Sequence, residues 1–286
     1  MLSENGKLFV VATPIGNLAD FSYRAVETLQ KVDLIAAEDT RRARVLLQHY
    51  GINQELIALH EHNEEKMTPI ILEQLCKGKQ IALISDAGTP LISDPGVPLV
   101  SKAKQSGIEV CPIPGPCALI TALSASGMPT HQFDFAGFLP RTSLARVKQF
   151  EKWLKNENTL IFYESSHRIE ATVQDLIRVF PSHRHIAVAR ELTKLHETIV
   201  LTTLAELEVV MANDAHSCKG EFVIILEGAK DDSDIDMDDK KCEHILQVLL
   251  QECSIKSAVS IAFQLTGIRK KLIYKKALLL KDQAAQ

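Results

Sequence analysis

The sequence predicts an α/β protein: two α/β domains, the first with a mainly parallel sheet, followed by a small helical module. Three features predict this. Short β-rich apolar runs alternate with helical stripes, the pattern of parallel sheets with covered faces. Irregular Gly/Pro loops directly follow several of those runs. Beyond residue 240 the pattern is helical only. With 286 residues, 46% of them hydrophobic, the chain is long enough for about two domains and too apolar for bulk disorder.

Lys7–Thr13 reads as a buried strand, and Leu18–Lys31 as a helix with its stripe at Leu18, Phe21, Ala25, Val26 and Leu29. Asp33–Ala37 is a second strand and Thr40–Tyr50 a second helix, closed by Gly51. Helix Lys66–Lys77 precedes strand Gln80–Ile84. Helix Val97–Gln105, strand Ile108–Ile113 and a helix from Cys117 to Ser124 complete a domain over residues 1–127. Pro129, Gly137 and Pro140 interrupt short apolar pieces where a second domain (128–229) begins. Ser143–Lys155 is a basic amphipathic helix. Thr159–Tyr163, His185–Arg190 and Glu221–Leu226 are strands of that domain. Residues 230–240 hold six Asp and no core-forming run, which marks a linker. The stretch 241–286 carries helical patterning with Gly267 between its last two helices, a helix-turn-helix-like module.

The net charge of −4 argues against wholesale electrostatic wrapping of nucleic acid. Two local basic stretches stand out, however: +4 over residues 141–155 and +6 over 254–286. Apolar runs such as Leu8–Ala12 and Phe222–Leu226 are strand-length, far short of the ~20 residues of a membrane span. Met1–Lys7 is polar and leads straight into a strand, so no signal peptide is expected. Six scattered cysteines without a C-x-x-C pair fit reduced thiols in a cytoplasmic protein.

None of the 13 glycines forms G-x-G, which removes the dinucleotide fingerprint, and no phosphate-binding P-loop, H-E-x-x-H or G-x-S-x-G motif is present. His60, His62, His183 and His185 lack a cysteine or carboxylate pattern that specifies a metal, and none is expected. Three loops carry the signal instead: Thr13–Asn17, Ser85–Gly96 and Pro112–Ala118, each just after a strand. In open parallel sheets ligands bind at the carboxyl ends of the strands, so these loops converge on one crevice. Gly88 and Gly96 permit close backbone approach. The helix opening after Gly115-Pro116-Cys117-Ala118 offers free N–H groups to a carboxylate or phosphate.

The strings Ala12–Leu18, Ala37–Arg41, Ser85–Gly96, Pro112–Ala118, Phe135–Pro140 and Ala189–Lys194 resemble the tetrapyrrole-methylase-like superfamily of S-adenosylmethionine enzymes, and within it the small-subunit ribosomal RNA methyltransferases. The likeness covers essentially the whole chain. It implies two α/β domains with the cofactor between them, a homodimer, and 2'-O-methylation of a cytidine ribose in small-subunit ribosomal RNA, free or in the assembled subunit. The cofactor contacts it implies fall on Pro14, Asp86, Ala87, Gly88, Thr89, Ile92, Gly115, Cys117 and Ala118. From the second domain they fall on Glu164, Leu192, Thr193, Glu221 and Phe222. Cys117 stands where the family usually carries Ser or Thr, and a thiol is the weaker hydrogen-bond donor. The stretch Glu197–Thr202 lacks a glycine that the family pattern includes.

A ribose hydroxyl is a very weak acid, so a base or an oxyanion-stabilising cation should help its methylation. Asp39 and Arg41, just after the second strand, are candidates for orienting the hydroxyl and a phosphate. The same residues also read as a helix cap beside a solvated arginine. His62 is a candidate base near neutral pH, or part of an exposed polar loop. Arg42, Arg168, Arg190 and Lys194 are candidate substrate contacts, or surface ion pairs. Trp153 reads as core rather than as a stacking platform. Two rival readings are a small-molecule methylase acting on a tetrapyrrole and a non-catalytic RNA- or ribosome-binding factor, for which Cys117 is the main support.

Overall fold

In a computed structural model the described residues are 6–212, 218–229, 242–250 and 253–266, with 273, 274, 276–278, 280 and 281 near the end. They fall into two compact units, residues 1–228 and 229–286. The expected linker 230–240 and Gly267 lie outside the described residues.

The first half alternates strand and helix throughout: β1 (Lys7–Val11), α1 (Tyr23–Lys31), β2 (Leu34–Ala37), α2 (Thr40–His49), β3 (Leu56–Ala58), α3 (Glu64–Cys76), β4 (Ile81–Ile84), α4 (Val97–Gln105), β5 (Glu109–Ile113) and α5 (Ala118–Ala125). Its five strands form one parallel sheet in the order β3-β2-β4-β1-β5. Every residue of β2 and β4 is buried, as a sheet covered on both faces requires. The helix expected over 18–31 is divided. A 3-10 turn spans Leu18–Asp20, and α1 starts only where Ser22 Oγ accepts the Ala25 N–H at 3.1 Å.

The second half comprises β6 (Phe133–Phe138), α6 (Ser143–Trp153), β7 (Thr159–Ser165), α7 (Ile169–Val179), β8 (His185–Arg190), β9 (Thr198–Thr203), α8 (Leu204–Ala212) and β10 (Glu221–Leu226). Its sheet runs β6-β7-β10-β8-β9 and is mixed, with only β6 and β7 directly paired in parallel. One face packs on α6, α7 and α8 through Phe150, Phe162, Leu176 and Leu207. The other face packs on α5, whose Leu119, Ala122 and Leu123 join Ile161, Ala187 and Val223. The domain boundary expected after residue 127 thus leaves α5 in the first half by sequence and in the second core by packing. Burying its two leucines contributes about 1.5–3 kcal/mol each.

Arg146 and Asp175 form a buried ion pair at 2.7 Å, and Ser143 Oγ donates to the same carboxylate at 2.6 Å. One of the five basic residues of segment 141–155 is therefore spent on folding. Trp153 sits at the edge of the second sheet's core against Phe150. In the C-terminal unit, residues 242–250 and Ile255–Thr266 are helical and enclose Leu246, Ala258, Val259 and Ala262.

Candidate active-site cleft

Connections from neighbouring strands diverge in the first sheet. β1 leads toward β2 on one side, whereas β4 leads past β1 to β5 on the other. Such a switch point opens a crevice at the strands' carboxyl ends. The second sheet turns the carboxyl ends of β6, β7 and β8 and the amino end of β10 toward the same place. Between them lies a cleft of about 450 Å³, within the range of small-molecule sites.

Backbone hydrogen bonds fix the loops. Thr13 N–H donates to Gly88 O at 2.9 Å and Gly88 N–H to Thr13 O at 3.0 Å, so the loops after β1 and β4 form a two-residue bridge. Thr89 Oγ1 donates to Pro116 O at 3.0 Å and ties in the loop after β5. Gly88 has φ +84° and takes this turn without the strain a Cβ would bring. Two cleft residues rest on strained backbone. Leu91 and Ser93 (φ +73° and +69°) flank Ile92, and Glu191 and Thr193 (φ +50° and +65°) flank Leu192. Left-handed non-glycine residues cluster at functional sites. Gly16 reaches this second loop so closely that a Cβ on it would lie 2.8 Å from Leu192 O.

The cleft wall has two characters. Ile15, Leu192, Phe222 and Val223 make it apolar, while Glu38, Asp86 and Asp94 supply carboxylates. Burial, together with the charges of Glu38 and Asp86, pushes Asp94 up to about 6 although Ser85 donates a hydrogen bond to it. Burial raises Glu38 too, assisted by Asp86. Arg42 Nη1 reaches Asp86 Oδ2 at 2.9 Å while its side chain stays 73% exposed. Tyr163 accepts the Leu119 N–H at 3.2 Å, and burial holds its phenol well above the usual range. Cys117 caps α5 without a side-chain hydrogen bond, so its thiol does not do what a hydroxyl would at that position.

Of the residues singled out in the sequence, Asp86, Ala87, Gly88, Thr89, Ile92, Cys117, Ala118, Glu164, Leu192, Glu221, Phe222 and Arg42 line this cleft. Pro14, Gly115 and Thr193 lie in the loops that frame it and do not line it. Glu164 borders the cleft, but its carboxylate is fully buried, accepting from Ser165 N–H, Arg168 Nε and Thr172 Oγ1 at 2.7 Å each. Arg168 is held there, and its Nη2 donates to Leu139 O. Arg190 donates to Thr198 Oγ1. Lys194 bridges Glu191 and Glu221 at 2.8 Å each, and although burial opposes its charge, those bonds raise its pKa.

None of the candidate catalytic residues Asp39, Arg41 and His62 lines the cleft. Asp39 is the N-cap of α2, accepting Arg41 N–H at 2.9 Å and pairing with the Arg41 guanidinium, which holds its carboxyl far below the usual range. The two residues thus meet in a local cap, with the Arg41 side chain left 89% exposed. His62 is exposed in the turn before α3 and does not line the cleft. Sequence reasoning missed Ile15, Glu38, Ser93, Asp94, Phe138, Tyr163, Ser165 and Val223. Asp94 was within reach, in the Ser85–Gly96 loop. Tyr163 and Phe138 depend on how the second sheet meets the first.

Residues 7–208 match the family of tetrapyrrole (corrin/porphyrin) methylases, and residues 236–281 match the RsmI C-terminal HTH domain. Curated relatives named ribosomal RNA small subunit methyltransferase I include that of Haemophilus influenzae, 46% identical over 96% of this chain and 97% of its own. That of Escherichia coli O157:H7 is 47% identical over 96% of each chain. That of Xylella fastidiosa is 48% identical over 96% of this chain and 99% of its own. Among solved structures, the fold is shared with cobalt precorrin-4 methyltransferase (TM-score 0.58, 18% identity, 77% of this chain and 94% of that one). It is also shared with diphthine synthase (TM-score 0.59, 12% identity, 78% and 90%).

Proposed function

The chain belongs to the tetrapyrrole methylase family, in the group of ribosomal RNA small subunit methyltransferase I, and from that premise we propose that it methylates the 2'-hydroxyl of a cytidine ribose in small-subunit ribosomal RNA. Its cofactor is S-adenosylmethionine. The observation that carries the reading is the cleft's composition. Carboxylates crowded against apolar walls repel one another and favour a cationic ligand with an apolar body. A sulfonium with an attached adenosine answers that description. Ile15, Leu192, Phe222 and Val223 would hold the apolar parts, and Glu38 and Asp86 the cationic ones.

When bound, the cofactor supplies a methyl group already activated on sulfur. The chain's part is alignment, and the Thr13–Gly88 bridge and the strained turns at Ile92 and Leu192 keep the walls from yielding. A hydroxyl that is methylated must release its proton. Burial pushes the Asp94 carboxyl up to about 6, which suits it to accept that proton. Arg42 offers a cation to a phosphodiester. The reading further includes a cytoplasmic homodimer acting on free ribosomal RNA or the small subunit, gripped by Arg141, Lys148 and Lys152 and by the C-terminal unit.

Labelled S-adenosylmethionine, incubated with the protein and with small subunits, free small-subunit RNA or porphyrinoid precursors, tests this. Label recovered as 2'-O-methylcytidine in the RNA is the expected result. Label on a porphyrinoid, or on no acceptor, would overturn it.

A further inference from the structure

Strand β6 enters the second sheet in register with β7, with Phe133, Asp134 and Phe135 opposite Thr159, Leu160 and Ile161. Regular pairing would then set residue 137 opposite Tyr163. The register shifts instead, and Phe138 takes that place. Gly137, at φ +63°, absorbs the extra residue, and a Cβ on it would press to 3.2 Å from Ser93 Oγ. A one-residue bulge reverses the face on which every following side chain emerges. It brings Phe138 into the cleft.

Phe138 lines the cleft yet remains 59% exposed. Its ring meets Tyr163 edge to face, centroids 5.6 Å apart at 65°, and Tyr163 is itself braced by Phe135 at 4.9 Å and by the Leu119 N–H. The platform is therefore rigid on one side and open on the other. Of the apolar residues suited to a cofactor, Leu192, Phe222 and Val223 are buried and Ile15 is half-buried. Phe138 is the cleft's exposed aromatic, and Arg42 its exposed cation.

A flat ring and a solvent-facing guanidinium lining one cleft are the groups that single-stranded nucleic acid recognition uses, one for a base and the other for a phosphate. Building on the ribosomal RNA reading, we propose that the nucleobase of the target nucleoside leaves its helix and stacks on Phe138, which sets the depth at which its ribose enters the cleft. Extrusion would carry the ribose together with its base out of the helix and into an enclosed cleft.

The test compares Phe138→Leu, which keeps an apolar side chain, with Phe138→Tyr, which keeps the ring. Methyl transfer to small-subunit RNA gives kcat/KM, and calorimetry with S-adenosylmethionine reports the cofactor site and the fold. Phe138→Leu should lower kcat/KM for RNA roughly tenfold to a hundredfold, the range of a lost base–aromatic stack. Cofactor affinity should hold, and Phe138→Tyr should recover most of the loss. Active wild type with an equally active Phe138→Leu would overturn the platform alone. So would a Phe138→Leu variant whose cofactor affinity falls in step with its kcat/KM, since the ring would then serve the cofactor's adenine. Wild type inert toward the RNA would overturn the ribosomal reading and the platform together.

Discussion

Thr13 and Gly88 exchange two backbone hydrogen bonds, 2.9 and 3.0 Å, across loops 75 positions apart in sequence. This antiparallel contact at the rim of an otherwise parallel sheet holds two walls of the cleft together. Gly88→Ala places a Cβ 3.4 Å from Ile15 Cγ2, which is tolerable, but imposes φ +84° on an L side chain. A loss of about 1–2 kcal/mol is expected by chemical denaturation, with a fall in S-adenosylmethionine affinity by calorimetry.

Asp94 should show opposite effects on stability and activity. Its folded pKa of about 6 exceeds the ordinary 3.8, so the folded state holds the proton more tightly than the unfolded one. Its penalty is absent below the unfolded value, grows between the two and is complete above about 6. Asp94→Asn should therefore stabilise the protein at pH 8 by about 1 kcal/mol, allowing for partial solvent screening, and leave stability at pH 3.5 nearly unchanged. Wild-type methyl transfer should rise with pH through about 6. Loss of activity in Asp94→Asn without that rise in wild type would remove the proton-accepting role.

Glu164 borders the cleft, yet its buried carboxylate serves three donors of its own domain. Glu164→Ala strands Arg168 and Thr172 and should cost about 3–5 kcal/mol in urea unfolding, the scale for breaking a buried pair.

Arg42→Ala should weaken RNA binding at every sequence tested and reduce the salt slope by about 1, as expected for one phosphate contact. Arg41→Ala serves as the comparison, because its exposed pair with Asp39 lies outside the cleft. Its stability should change by less than about 1 kcal/mol.

The cleft lies wholly within residues 1–228. A chain ending near residue 240 should bind S-adenosylmethionine as the full chain does and bind RNA more weakly at fixed salt. Equal RNA affinity would exclude the C-terminal unit from the grip.

The parallel sheet was legible because each of its long elements carries its own signal. The apolar runs at Leu8 and Ile81 read as strands, and the Gly/Pro loops behind them marked the edge where ligands bind. β3 went unread because three half-buried residues make no pattern. β6 was hidden by Gly137 and the prolines, whose breaks describe a bulged strand as well as a loop. Asp39 and Arg41 show the limit for side chains. Cap and catalyst demand the same residue types at the same spacing, and only the direction of the carboxylate separates them. Tyr163 and Phe138 became cleft residues through the meeting of two sheets, a relation no local window contains.

The placement of β10 at the centre of the second sheet has a consequence for biosynthesis. Neither β7 nor β8 has its inner neighbour until Glu221–Leu226 emerges, and until then α5 lacks the β10 part of the surface that covers Leu119 and Leu123. At about 5–20 residues per second, the nascent chain carries that apolar helix incompletely covered for some 5–20 seconds. Over that interval a holdase bound to α5 would protect the whole second half from misassembly.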